Sequence, residues 1–491
     1  MLETNDEGII LDAAERLLHG QRLYLDFFGY MSPGSYWIQE IAFRALGVTM
    51  LAGRIPVLAD VAVQCGLAIW LARLLMPEGA ARACLALFFA LRCSDLTELT
   101  AQHRLDSASF SLAALCCAIQ GHRAQKRRWF ALAGALAAAG AICTPSIALV
   151  GAVIAGWILM DRRVPRCFGA FAAGAGVIAA GAWFVLWREG SVYAFFQQML
   201  WLQKNYSSVN RVAYGEVFGG YRALMLGGGP AEIPVRGVMA FWIAVPALAP
   251  IVALGGARFL QKELSRSANP AGVDFIPVVA ATALALVVST YPRMDATHLG
   301  YILPVPLTLA FAVVNYLPAR KLQIVLVILL SLAATASLYV DLGQLLNETA
   351  LDSPVGRVRV RREEAPALRA LLGKVAPGES LYVHPYRPLF YFLTQARNPT
   401  RFSYLAPGMM SDAEANAALE SLAHDPPAWL LYLWIDAEDY LRIFPSADPQ
   451  RVHYRAIEAW IASRYSTDLA DVAGYQLLRR TTGKGARAGA D

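Results

Sequence analysis

The chain has 491 residues, 57% of them hydrophobic and only 16% charged, and its mean hydropathy is +0.42. A soluble domain carries about a quarter of its residues as charges, so this composition excludes an ordinary soluble protein and points to a membrane one. The net charge of +6 does not imply nucleic acid, because much of the Lys and Arg lies in short clusters beside apolar runs, the pattern that orients helices in a bilayer.

The chain opens MLETNDEGIILDAAERLLHGQRLYLDFFGYMSPGSYW, with an acidic pair, Asp6 and Glu7. In LDAAERLLHG the apolar residues recur at helical spacing, which predicts a helix lying along the membrane interface. The aromatic stretch after it suits the same depth, where aromatic belts form. Carboxylates at a helix start favour its dipole, so on composition alone the pair reads as a stabilised helix start sooner than as chemistry.

A spanning helix needs about 20 mostly apolar residues. Candidates follow near 53–75, 80–94, 106–120, 129–143, 145–160, 166–187, 236–257, 273–291, 299–317 and 321–341. The run WFALAGALAAAGAICTPSIALVGAVIAGWILM is too long for one span and is divided at Thr144-Pro145, where proline disrupts the hydrogen-bond ladder. The connections GHRAQKRR, DRRVPR, ARFLQKELSR and PARK are basic, which places them in the cytoplasm by the positive-inside rule. The N-terminal region, the 95–105 and 188–235 loops, the 291–299 link and everything after about 342 then face outward. About ten spans with both ends outside leave the N-terminal region with no helix to export it, so a first span is expected upstream of Met1. The seven cysteines lie in or beside apolar runs without metal or haem spacing and read as packing residues.

From about 350 the pattern changes to helix (EEAPALRALLGKV), strand (SLYVHP), helix (RPLFYFLTQ), helix (DAEANAALESLAH), strand (AWLLYLW), helix (QRVHYRAIEAWIASRY) and strand (AGYQLLRR). That alternation predicts a small α/β domain with a partly parallel sheet. It carries no Gly-rich phosphate fingerprint and reads as a cap or docking surface. The expected division is a membrane domain over 1–345, with 1–52 as its first external loop, an extracytoplasmic α/β domain over 346–482 and a disordered tail over 483–491.

Asp6-Glu7-Gly8 is followed by the amphipathic helix, a G-x-x-L-Y-x-D-F-F element (Gly20, Leu23, Tyr24, Asp26, Phe27, Phe28), the Pro33-Gly34 turn and a membrane run. This order resembles the first external loop of GT-C fold glycosyltransferases, and most of all the bacterial relatives of protein O-mannosyltransferases and of lipid A aminoarabinose transferases. In that family the acidic pair follows a first transmembrane helix and its leading acid serves in catalysis; the missing helix is the departure. The resemblance implies a polytopic α-helical membrane protein of GT-C type in a bacterial inner membrane. Its implied reaction is transfer of a sugar from a polyprenyl-phosphate donor, embedded in membrane lipid, to a hydroxyl of a glycan, lipid or protein acceptor on the extracytoplasmic side, with inversion.

The residues suit that chemistry. Asp6, with Glu7 beside it, is the expected catalytic acid pair, and a carboxylate taking the acceptor's proton contributes about 10²- to 10⁴-fold. The leaving phosphate is already a weak base and needs cations. YPRMDATHLGYILP offers Arg293 and His298, with Asp295 between them as the partner that would make Arg293 merely structural. DLTELTAQHRLD adds Asp95, Glu98, His103, Arg104 and Asp106. Arg104 is a further expected phosphate contact, and Asp95, Glu98 or Asp106 the second acid that family members often carry in this loop. WLQKNYSSVNR offers Lys204 and Arg211, Lys204 being the fourth expected phosphate contact.

Asp60 falls inside an apolar run, where a central carboxylate costs about 2.5–3.5 kcal/mol, so it is expected to face Arg54, Arg104 or the lipid-phosphate groove. No compact acidic cluster argues strongly for a metal, and a divalent ion is left open. The first rival, a transporter or flippase of a lipid-linked intermediate, has the same hydropathy, but transporters tend to show internal repeats and broken helices around a midplane site. Here no repeat is found and the polar residues gather in external loops. The second rival is a non-catalytic assembly protein whose external domain recruits a partner.

Overall fold

The computed structural model describes residues 6–93, 99–211, 233–266, 270–294, 296–444 and 446–481. The first external loop folds as α1 (Asp6–Leu18) and α2 (Gly34–Leu46), and the membrane part continues as α3 (Met50–Leu75), α4 (Glu78–Cys93), α5 (His103–Ala124), α6 (Arg127–Cys143), α7 (Ala148–Met160) and α8 (Phe168–Arg188). Then come α9 (Val192–Asn210), α10 (Ile233–Ile251), α11 (Ala257–Arg266), α12 (Ile276–Ser289), α13 (Ala296–Ile302), α14 (Pro304–Tyr316) and α15 (Arg320–Leu346). Each expected apolar run falls on helix. Among the described residues, Met50–Leu75, Pro165–Arg188, Ala244–Arg266 and Gly272–Ser289 are long and apolar enough to cross a bilayer by length and composition, and Pro145–Met160 and Pro304–Tyr316 are shorter apolar helices.

The expected break is real: α6 stops at Cys143, Thr144 is extended, and Pro145–Ile147 form a short 3₁₀ turn before α7. The helices meet through small residues. A Cβ on Gly134 would lie 1.9 Å from the Phe171 carbonyl oxygen, so α6 and α8 touch backbone to backbone, the close approach that small residues allow between membrane helices. Val177, Trp183, Phe184 and Trp187 on α8 and Ile324, Ile328 and Leu332 on α15 point outward, as lipid contact requires.

After α15 an antiparallel hairpin, β1 (Glu348–Ser353) and β2 (Gly356–Arg361), precedes α16 (Ala365–Lys374). A four-stranded sheet follows in the order β3 (Leu381–His384), β4 (Trp429–Leu433), β6 (Tyr475–Arg480), β5 (Tyr465–Val472). β3 and β4 are parallel and the other pairs antiparallel, a partly parallel sheet. The intervening helices are α17 (Leu389–Thr394), α18 (Asp412–His424), α19 (Ala437–Ile443) and α20 (Arg455–Arg464).

One face of this sheet is seated on the first external loop. Ile9, Ile10, Leu11 and Leu17 of α1 share a core with Leu381, Val383, Leu389, Phe390 and Leu431. The other face packs Tyr382 and Leu430 against Ala418 and Leu422 of α18 and Ile457 and Ile461 of α20. The apolar face of α1 is thus covered by protein. Helical spacing specifies a face that must be covered, not what covers it, and here α2 and α17 close over α1 from different sides, burying residues from Glu7 to Leu17 around most of its circumference.

Candidate active site

The first turn of α1 is held by an ion pair between buried Glu7 and partly buried Arg54. Glu7 is 0% exposed; its Oε1 lies 2.5 Å from Arg54 Nε, and its Oε2 accepts from Arg54 Nη2 at 2.8 Å. Arg54 Nη1 donates to the Leu99 carbonyl at 2.8 Å. The charge-assisted hydrogen bond from Nη2, with Nε close by, fastens α1, α3 and the chain at Leu99 together. Gly8 allows the contact on the other side: a Cβ there would lie 2.2 Å from the Leu389 backbone nitrogen, at the start of α17.

Asp6 is exposed at the head of this clamped helix. Its charge faces the phenols of Tyr36 on α2 and Tyr404 from the α/β part, and adds to the burial that pushes both above the usual tyrosine range. Tyr36 Oη accepts from the Tyr30 backbone N–H at 3.1 Å. Tyr404 packs against Tyr30 at 5.3 Å and Tyr386 at 5.5 Å between ring centres, so the wall beside Asp6 is aromatic.

Behind it, between α2, α3 and α5, lies a second carboxylate site. Ser35 Oγ donates to Asp106 Oδ2, and the Asp60 carboxyl is within hydrogen-bond reach of Asp106. Asp60 therefore meets Asp106, while Arg54 is occupied by Glu7. Further along the same two helices Gln64 Nε2 donates to Ser109 Oγ at 3.0 Å, so the α3–α5 contact carries a polar seam.

Histidine and arginine side chains gather at the start of α5. Thr144 Oγ1 donates to the His103 carbonyl at 3.1 Å and so accepts from His103 Nδ1 at 2.8 Å, which sets the imidazole tautomer. His298 on α13 faces the His103 ring. Arg104 Nη1 reaches the Ser289 carbonyl at 3.4 Å, which also accepts from Ser146 Oγ at 2.9 Å. Arg293 turns toward the α/β part, its guanidinium 4.9 Å over the Phe444 ring and facing Tyr440. Arg104 and His298 are thus brought to one end of the bundle, with Arg293 at its junction with the α/β part. Lys204 is exposed on α9, whose Trp201 Nε1 donates to Glu414 Oε1 of α18 at 3.0 Å. Asp95, Glu98 and Asp295 lie outside the described residues. Among the described residues no group of three or more His, Cys, Asp or Glu side chains converges to hold a metal.

The rest of α1 faces the α/β part with two carboxyls. Burial raises Asp12 to about 6 against the pull of Arg16 and Ser403. Burial and the charge of Asp12 raise Glu15 to about 8, although Gln395 Nε2 donates to its Oε2 at 3.0 Å. Sequence reasoning missed Tyr404, Tyr36 and Ser35. Ser35 had a weak local signal in the adjacent Pro33-Gly34 turn, and Tyr404 had none.

Apolar helices with an α/β part closing over the first-loop helix make a membrane-protein fold of the GT-C type, as the likeness to solved structures shows. The chain is similar to ArnT from Cupriavidus metallidurans in the apo state, at 15% identity and a TM-score of 0.53 over 100% of this chain and 95% of that one. ArnT from the same organism bound to undecaprenyl phosphate aligns at 14% identity and a TM-score of 0.49 over 97% and 94%. The archaeal oligosaccharyltransferase AglB from Archaeoglobus fulgidus, in complex with an inhibitory peptide and a dolichol-phosphate, aligns at 11% identity and 0.47 over 98% and 71%. At these identities the likeness is one of fold. No family model matches the sequence, and no curated protein matches it.

Proposed function

We propose that the protein transfers a sugar from a polyprenyl-phosphate donor to an acceptor hydroxyl, with inversion, at the extracytoplasmic face of a bacterial inner membrane. In this reading residues 1–345 form the catalytic membrane unit and 346–482 the extracytoplasmic part that roofs it. The observation that carries it is the placement of Asp6: an exposed carboxylate at the head of a helix otherwise buried, fixed in place by the Glu7–Arg54 pair next to it. A base so held is pre-positioned, and positioning is worth as much as basicity.

Asp6 takes the proton of the acceptor hydroxyl as its oxygen attacks the anomeric carbon. The bond from that carbon to the phosphate oxygen breaks, and the polyprenyl phosphate leaves with the electron pair. Arg104, His298 and Arg293 supply positive charge for the phosphate, the arginines through planar forks matched to its oxygens. Asp106, beside Asp60, is the second acid of the site. The test is direct: purified protein in lipid nanodiscs is given radiolabelled polyprenyl-phosphate sugars and an extract of envelope lipids, glycans and proteins. Label moving from donor to acceptor supports transfer. Movement of intact donor across a liposome bilayer, without transfer, would replace it with the flippase reading.

A further inference from the structure

The α/β part holds a second polar cluster that the transfer chemistry does not use. β3 and β4 run parallel and end side by side at His384 and Tyr432, which are partners in register and stack at 5.4 Å with an interplanar angle of 22°. The carboxyl ends of parallel strands are where open α/β sheets seat their ligands. His384 is 1% exposed. Tyr382 Oη lies 3.3 Å from its Nδ1, and its Nε2 lies 3.8 Å from Glu458 Oε1 on α20. His453 Nδ1 approaches the same Glu458 oxygen at 3.3 Å. Two imidazoles thus aim one carboxylate, and the contact with His384 first of all holds it below the usual glutamate range despite partial burial.

Over this group stands Trp434. It is 58% exposed, and the His453 ring packs against it at 5.2 Å. It lies one residue past β4, whose Leu431 and Leu433 pack toward α1. It is followed by exposed Asp436 and Glu438, a poor match for an anionic membrane surface. A large indole left in water, joined through His453 to an oriented carboxylate, is the kind of surface that marks a binding site.

The chemistry selects the ligand class. A sugar ring has one face of polarised C–H bonds, which an aromatic π face attracts, and a rim of hydroxyl donors, which a carboxylate accepts. The negative Glu458 disfavours a phosphate or other anion, and Arg451 and Arg455 on either side of His453 in sequence disfavour a cation. We propose that Trp434, His453 and Glu458 form a shelf that binds a neutral sugar ring of a glycan, independently of the transfer site.

The experiment is saturation-transfer NMR on the full chain in lipid nanodiscs, with the methyl glycosides of glucose, galactose, mannose, N-acetylglucosamine and rhamnose as probes. Magnetisation is expected to reach the ring protons of at least one glycoside. Trp434→Ala should weaken that binding about tenfold or more and Trp434→Phe should largely retain it, because an aromatic face carries the contact. Glu458→Gln should weaken it several-fold, and Asp6→Asn should leave it unchanged. Transfer to none of the probes, or equal transfer in Trp434→Ala with unaltered thermal unfolding, overturns the proposal. So does quenching of Trp434 fluorescence by brominated lipid, which would make the indole a membrane anchor.

Discussion

Gly8→Ala separates the positioning of Asp6 from its chemistry. The added Cβ would sit 2.2 Å from the Leu389 backbone nitrogen, 2.8 Å from its Cα and 2.9 Å from its Cβ. Ordinary contact begins at 3.4 Å, so α1 and α17 must part by about 1.2 Å, which is 3.4 less 2.2, and a backbone nitrogen cannot rotate aside. Overpacking of this sort costs about 1–3 kcal/mol. The consequence for activity is larger, because a reacting group displaced by about 1 Å loses about 10²-fold, and Asp6 lies only two residues from the clash. The variant should therefore fold, unfold at a lower temperature, and transfer sugar about a hundredfold more slowly. A methyl group on Gly66 of α3 would meet nothing within 4 Å, and Gly66→Ala should be neutral or stabilise by about 0.5–1 kcal/mol. Wild-type activity and melting in Gly8→Ala would refute the claim that the α/β part sets the position of α1.

Glu7→Gln leaves the partly buried Arg54 beside a neutral amide and should lower stability in thermal or denaturant unfolding, by less than the about 3–5 kcal/mol of a fully buried pair, with Glu7→Gln/Arg54→Met recovering part of it. Arg293→Ala should weaken donor binding far more than it lowers the melting temperature, and equal losses in both would reduce Arg293 to a partner of Phe444. Glu15 is raised from 4.5 to about 8 in the folded chain, so between those values the folded state holds a proton that the unfolded state has lost. Its contribution to stability is complete below about pH 4.5 and is lost as the pH rises toward 8. Thermal unfolding across that window should show stability falling with pH, and Glu15→Gln should flatten the fall.

The membrane helices were legible because lipid imposes a simple rule: every backbone group must be satisfied within a helix, and about 20 apolar residues are needed to do so. Proline at 145 marked its break for the same reason. The hairpin β1–β2 and the strand β5 were not foreseen, because GRVRVR and YSTDLADV carry charged residues among few apolar ones and their pairing is settled by neighbouring strands. α20 ends at Arg464, where β5 begins, rather than running through Tyr465. Around the candidate site the sequence exposed residue types but not partners. Glu7 and Arg54 are joined by the fold alone, as are Asp60 and Asp106, and Tyr404 reaches Asp6 from the far end of the chain. Periodicity told that α1 is amphipathic and was silent on what would cover it.

The central claim is that the carboxylate of Asp6 takes the acceptor's proton. Its most direct test is single-turnover transfer from a radiolabelled polyprenyl-phosphate sugar by the wild type and by Asp6→Asn, with donor binding and thermal unfolding measured on the same preparations. Loss of transfer by about 10²- to 10⁴-fold, with donor affinity and melting temperature unchanged, is the predicted result. Transfer by Asp6→Asn at near the wild-type rate would contradict it and move the chemistry to another acid.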